Sequence, residues 1–85
     1  MNRDSGEIGL AELLVGESGM VSDVTQGTTV GARLMELGFV PGMTVELLGI
    51  APLGDPLEFE LCGYRISLRR SEANCVRVTR VVEIR

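Results

Sequence analysis

The chain has 85 residues, so we expect a single domain spanning residues 1–85. Its net charge of −4 argues against nucleic-acid binding, because that affinity comes mainly from Lys and Arg neutralising phosphates. Histidine is absent, and no serine-based triad, P-loop or dinucleotide fingerprint is recognisable, so we expect no catalytic residues.

The predicted elements begin after a polar N-terminus, residues 1–8, which we expect to be a loosely held tail. Leu10, Leu13 and Leu14 then have the i, i+3, i+4 spacing of about one helical turn. Glycines interrupt the chain after this turn. The weak pattern of residues 20–24 predicts a first strand.

A clearer helix is predicted over residues 29–37. A hydroxyl of Thr28 or Thr29 can cap its start, and Gly38 follows its end, where a left-handed cap is favoured. Three apolar residues share one face of this helix, namely Val30, Leu34 and Leu37.

From residue 43 the apolar period changes to two, which is typical of half-buried strands. Strands are predicted over residues 43–48, 57–62, 64–69 and 75–79, with a short helical turn over residues 71–74. The fold class is therefore mainly β, a small SH3-like antiparallel β-barrel with one or two short helices. A ferredoxin-like sandwich is the alternative, but it requires two crossover helices.

No apolar run approaches the ~20 residues of a transmembrane helix, and no signal peptide is recognisable, so we expect a cytoplasmic protein that does not itself span the membrane. Cys62 and Cys75 are expected to be free thiols in that compartment. Both fall on the polar face of the predicted strands. A soft-metal or redox site is one interpretation, but two thiolates are an incomplete ligand set, which favours incidental placement.

Two groups of charged residues are open to a functional or a structural interpretation. Glu58 and Glu60 share a strand face, with Glu46 beside them; weak adventitious divalent metal is conceivable there, although a solvated face is commoner. The second group is basic and either forms a patch for an acidic partner or pairs with carboxylates across the sheet. It consists of Arg65, Arg69, Arg70 and Arg77.

The segment Pro52-Leu53-Gly54-Asp55-Pro56 predicts a rigid loop between two strands. Its prolines fix φ, Gly54 permits a positive φ, and Asp55 can accept hydrogen bonds from nearby amides. Such a loop holds Leu53 at a corner of the barrel. The side chain is either tucked beneath the barrel or offered to a partner, and the sequence leaves both options open.

Three segments resemble motifs of the FeoA family. Residues 33–42 resemble RLxELGFxPG, residues 51–56 resemble APLGDP, and residues 63–73 resemble GYxxxLRxxEA. The resemblance covers residues from about 10 to 80. It implies an SH3-like barrel and a role in ferrous iron uptake, as a cytoplasmic partner of FeoB, a membrane transporter with a cytosolic GTPase domain.

Three rival functions remain open at this point. The first is a metal-responsive regulatory module, because iron-dependent repressors carry a similar barrel at their C-terminus. The second is direct iron binding as a chaperone or carrier. An RNA-binding barrel is the third, and the acidic balance and few aromatic residues oppose it.

We hypothesise a partner-binding surface that combines the exposed flank of helix 29–37 with the rigid loop. Its residues are Arg33, Met35, Glu36, Pro52, Leu53, Gly54 and Asp55. No metal ligands and no resident cofactor are expected. The sequence does not indicate the oligomeric state or whether the transporter is activated or inhibited.

Overall fold

The computed structural model describes residues 6–82. These residues fold into strands, two α-helices and one 3₁₀ turn. In chain order these are β1 (Glu7–Gly9), the 3₁₀ turn (Leu10–Glu12), β2 (Ser18–Val24), α1 (Thr29–Leu37), β3 (Thr44–Ile50), β4 (Leu57–Leu61), β5 (Tyr64–Leu68), α2 (Arg70–Ala73) and β6 (Val76–Val81). Among the described residues, no helix has the length and apolarity needed to cross a bilayer.

The strands form one antiparallel sheet in the order β1-β6-β2-β3-β4-β5. The two edge strands of this sheet are β1 and β5. Helix α2 contacts both β5, which it follows in the chain, and the 3₁₀ turn that follows β1, so it links the end of β5 to the β1 side of the sheet. This arrangement is the small, nearly closed barrel that the sequence predicts.

One apolar cluster fills the interior and receives side chains from β2, β3, β4, β5 and β6. In β4 the alternation is complete: Leu57, Phe59 and Leu61 are fully buried, whereas Glu58 and Glu60 point away from the core. Phe39 and Phe59 are the largest of the fully buried side chains. Aliphatic residues supply the rest of the core, as the composition requires.

Helix α1 has the bounds that the sequence predicts, because both of its ends are marked by local chemistry. The Thr28 hydroxyl accepts a hydrogen bond from the Gly31 amide at 2.9 Å. Gly38 ends the helix with φ +115°, in the left-handed region. At Gly31, a Cβ would lie 2.0 Å from the carbonyl oxygen of Thr25, so only glycine allows this close packing.

The N-terminal region differs from expectation. The sequence predicts a loose tail at Glu7 and Ile8, yet these residues pair with Thr79 and Val78 of β6. Residues 1–5 of the predicted tail lie outside the described residues. Within the predicted helical turn, Leu10 and Leu13 are buried, whereas Leu14 is 64% exposed. The helical turn ends at Glu12, so Leu14 no longer follows its periodicity.

Candidate partner-binding surface

The loop between β3 and β4 is held by its own backbone. The amide of Gly54 donates to the Ala51 carbonyl at 2.8 Å, and the Ala51 amide donates to the Pro56 carbonyl at 3.0 Å. Gly54 has φ +93°, which side chains rarely tolerate, and the peptide bond between Asp55 and Pro56 is cis. Leu53 lies at the tip and is 98% exposed. Its side chain is therefore offered to solvent rather than tucked under the barrel.

Arg70, the first residue of α2, anchors the loop from outside. Its amide donates to Asp55 Oδ1 at 2.9 Å, and its guanidinium donates to the Gly54 carbonyl from Nη2 at 3.0 Å and from Nε at 3.3 Å. Nη1 also reaches the Ala11 carbonyl of the 3₁₀ turn at 3.4 Å. Three segments distant in sequence thus meet at one side chain, which fixes the position of Leu53.

The flank of α1 reaches the same short helix from the other side. The guanidinium of Arg33 pairs with Glu72, the third residue of α2. Glu36 is exposed, whereas Met35 is half-buried and packs against the core, so it presents only part of its side chain. Since α2 contacts both Arg33 and the loop, it joins the two parts of the hypothesised surface.

The sequence does not indicate that Arg70 and Glu72 link these parts. In the sequence, Arg70 is noticeable only as a member of a basic group. Its guanidinium binds backbone carbonyl groups, and since every residue has one, no acidic partner in the sequence predicts the contact. Glu72 is a fixed position of the GYxxxLRxxEA-like segment, but that resemblance does not show that it pairs with Arg33. The GYxxxLRxxEA-like segment lies close to the loop only in the folded barrel, so the sequence alone does not predict this contact.

Two carboxyl groups have a lowered pKa through local hydrogen bonds. The Arg69 amide donates to Glu72 at 2.9 Å, and together with the Arg33 guanidinium it lowers the pKa of Glu72 from the usual 4.5. The Leu14 amide and then Arg80 lower the pKa of Glu17 in the same way. Both carboxylates therefore hold local structure in their ionised form.

Most of the described arginines are engaged within the chain. Besides Arg33, the ion pairs join Arg77 to Glu7 and Arg80 to Glu17. Arg70 binds carbonyl oxygens, as above. Arg65 and Arg69 remain without an ion pair in residues 6–82. In the predicted basic group, Arg70 and Arg77 thus make internal contacts, whereas Arg65 and Arg69 form no ion pair among the described residues.

The acidic and cysteine residues are not assembled for metal. Glu46 lies opposite Glu60 across β3 and β4, but Glu58 lies opposite Gly49 on one side and Ser67 on the other. Both thiols are free; Cys62 lies in the β4–β5 turn and Cys75 between α2 and β6. Residues 6–82 contain no group of three or more His, Cys, Asp or Glu side chains placed to hold a metal ion.

In residues 6–82, the six-stranded antiparallel sheet, the two short helices and the apolar interior define an SH3-like domain. The model of the FeoA domain family matches residues 8–80. The chain belongs to the FeoA family. The three motif segments, and the loop that carries Leu53, all lie within the matched region.

Relatives of the chain include proteins of ferrous iron transport. It is 35% identical over 69 residues to the Fe(2+) transport protein A/Fe(2+) transporter FeoB fusion protein of Porphyromonas gingivalis, covering 81% of this chain and 8% of that protein. The FeoA-like protein of Clostridium acetobutylicum has a TM-score of 0.87 and 33% identity, over 96% and 95% of the two chains. Stenotrophomonas maltophilia FeoA complexed with zinc, a prokaryotic SH3 domain protein, has a TM-score of 0.76 and 36% identity, over 84% and 88%.

The barrel is shared with metal-dependent repressors. A manganese-dependent transcriptional repressor superposes with a TM-score of 0.80 at 13% identity, over 88% of this chain and 37% of the repressor. At that identity the likeness concerns the fold alone. It explains why a regulatory module is a reasonable rival and adds nothing in its favour beyond architecture.

Proposed function

We propose that this FeoA-domain protein is a cytoplasmic accessory and regulatory component of bacterial ferrous iron uptake. It acts by direct contact with the FeoB membrane GTPase transporter. Its part in uptake is contact, and neither a reaction nor carriage of the iron is assigned to it. The proposed contact surface is the flank of α1 together with the loop that carries Leu53.

The observation that carries this proposal is the covalent fusion in a relative. In the Porphyromonas gingivalis protein, a segment 35% identical to this chain belongs to the same polypeptide as an FeoB transporter. Fusion keeps two domains at a high effective concentration, which is useful when they work in contact. A separate chain of the same family achieves that contact by binding.

The geometry of the loop supports Leu53 as the centre of the contact. A leucine that is 98% exposed contributes nothing to the core, and burying it against a partner gains about 1.5–3 kcal/mol. Ordering a loop on binding costs free energy, but the bonds from Arg70 have already ordered this one. An exposed apolar side chain on a preorganised loop is typical of a binding residue.

Co-purification with the FeoB transporter of the same organism tests the proposal. We expect wild-type protein to be retained by detergent-solubilised FeoB and Leu53→Asp to lose retention. The melting temperature of Leu53→Asp should match that of wild type, because the side chain touches little of the protein. The matched control is Val82→Asp, which adds the same charge at a residue that is 75% exposed near the far end of β6.

Two results would count against the proposal. If Leu53→Asp binds as well as wild type, the loop is not part of the contact. If wild-type protein is never retained, the partner is wrong; capture of a transcription factor from the same lysate would then favour the regulatory rival.

The α1 flank is tested separately by charge reversal. Glu36→Arg changes an exposed side chain, so we expect normal folding and weaker retention by FeoB. Arg33→Glu also breaks the pair with Glu72, and its effect on stability must be measured alongside binding. Retention unchanged in both variants would confine the contact to the loop.

A further inference from the structure

Strand β5 (Tyr64–Leu68) is an edge of the sheet, and its second side has no strand partner in residues 6–82. An edge strand presents unpaired backbone groups that can accept another extended chain. Three residues of β5 are exposed, namely Tyr64, Arg65 and Ser67, whereas Ile66 is half-buried and Leu68 belongs to the core. The backbone groups of β5 on the side away from β4 are available only if they point outward.

The tight turn before β5 determines which of its backbone groups point outward. Cys62 and Gly63 form a two-residue hairpin with φ values of +55° and +86°, as a type I′ turn requires. In such a hairpin the flanking pair, Leu61 and Tyr64, is hydrogen-bonded, and the pairs alternate along the strands. The N–H and C=O groups of Arg65 and Ser67 therefore point away from β4. None of them makes a backbone hydrogen bond to a loop or turn within the described residues.

The side chains beside this open edge are basic, and the charge of Arg69 also helps to lower the pKa of Glu72. Arg65 and Arg69 lie four residues apart on an extended backbone, so they share one face with Ser67 between them. Neither guanidinium forms an ion pair in the described part of the chain, although Glu60 lies opposite Arg65 in the register. The protein has a net charge of −4, so the surface around these two arginines is locally positive on an acidic protein.

We propose that the β5 edge binds an extended acidic segment of a partner protein by strand addition. Backbone bonds to Arg65 and Ser67 hold the segment, and carboxylates at alternate positions of the segment pair with Arg65 and Arg69. The charges then alternate across the sheet, from Glu60 to Arg65 to the added carboxylate. This site does not depend on the FeoB contact proposed above, since it uses different residues.

A second copy of the chain fits this edge poorly. Antiparallel pairing of two β5 strands would bring Arg65 and Arg69 of both copies onto one face of a two-stranded ribbon. Like charges on neighbouring strands are destabilising. Charge complementarity thus selects an acidic segment over self-association.

Amide hydrogen exchange read by NMR tests the backbone part. In the free protein, we expect the amides of Arg65 and Ser67 to exchange faster than those of Tyr64 and Ile66, which face β4. The probe is a synthetic eight-residue peptide in which Glu alternates with Val. Its addition should slow exchange at Arg65 and Ser67 and shift resonances along residues 64–69, whereas the same peptide with Lys for Glu should do neither.

Variants distinguish the contribution of the arginine charges to peptide binding from that of the backbone hydrogen bonds. We expect Arg65→Glu with Arg69→Glu to weaken peptide binding roughly tenfold or more, since two charge-assisted contacts become repulsive. The matched control, Arg77→Glu with Arg80→Glu, makes the same change in net charge on β6. Because it also breaks the ion pairs to Glu7 and Glu17, its folding is checked by melting temperature, and the folded variant should bind as wild type. Ser67→Pro removes one outward N–H at an edge position, where proline is tolerated, and should also weaken binding.

Several outcomes would overturn the inference. Amides of Arg65 and Ser67 that are already protected in the free monomer would mean that the edge is covered. Dimerisation through β5 would mean that a second copy is the occupant. Equal binding of the Lys peptide, or no binding of the Glu peptide at millimolar concentration, would exclude the charge argument.

Discussion

The two connections that flank β4, the β3–β4 loop and the β4–β5 turn, differ in length and in the contacts that hold them. The β4–β5 turn uses two residues, Cys62 and Gly63, whose backbone conformation suffices to reverse the chain. The β3–β4 loop is longer, is bound by Arg70 of the remote helix α2, and holds Leu53 at its tip, 98% exposed. A loop that only reversed the chain would need neither an external anchor nor an exposed leucine.

Stability and binding depend on different connections in this small domain. The short turn belongs to the fold, and changes there should alter unfolding alone. The anchored loop needs glycine, proline and an arginine to hold its shape, yet it buries no apolar side chain of its own. We infer that its rigidity serves recognition, so substitutions in the two connections should affect stability and binding differently.

The largest contrast is expected between two leucines four residues apart. Leu57→Ala removes a fully buried side chain and should cost about 2–5 kcal/mol of unfolding free energy. Leu53→Ala should change stability by less than about 0.5 kcal/mol. Urea unfolding of both variants measures this. A large loss in Leu53→Ala would place that side chain in the core and end the comparison.

Two glycines with positive φ provide the next contrast. Gly63 has φ +86° and Gly54 has φ +93°, and at both positions a Cβ would meet no atom within 4 Å, so alanine at either adds only backbone strain. Each substitution should cost about 1 kcal/mol or slightly more in unfolding free energy. Only Gly54→Ala should also weaken retention by FeoB. Equal binding losses in both would show that general destabilisation explains them.

A smaller effect is expected from removing the anchor. Arg70→Ala deletes the guanidinium bonds to Gly54 and Ala11 and should cost about 1 kcal/mol, because these bonds are exposed to water. Exchange of the loop amide of Gly54 should accelerate, and FeoB retention should fall although Leu53 is intact. Arg65→Ala is the control, since that guanidinium has no ion pair among the described residues. An unchanged loop in Arg70→Ala would contradict the anchoring role.

The smallest effect concerns pH. The pKa of Glu72 is lowered in the folded state by the Arg69 amide and by Arg33, so its contribution is fully present above the usual 4.5 and is lost as pH falls through the folded value. Glu72→Gln should therefore reduce stability at pH 7 by about 0.5 kcal/mol and show a shallower loss below pH 4.5. Parallel pH profiles for both proteins would exclude this linkage.

The sequence predicts the features that depend on neighbouring residues, such as helix ends and the alternation of buried side chains in a strand. The bounds of α1 follow from the cap at Thr28 and the left-handed Gly38, and the alternation in β4 follows from its buried face. Strand β1 could not be predicted, because its pairing with β6 joins the two ends of the domain. The anchor at Arg70 was also beyond prediction, since carbonyl acceptors carry no sequence signature.

If Leu53 lies at the contact with the transporter, a photo-crosslinking residue at position 53 should react with FeoB. The experiment uses cells that express this protein with the FeoB of the same organism. We expect a light-dependent adduct with FeoB from position 53 and none from position 82, which is also exposed. Adducts of equal yield from both positions, or none from position 53 while position 82 crosslinks, would contradict a contact at Leu53.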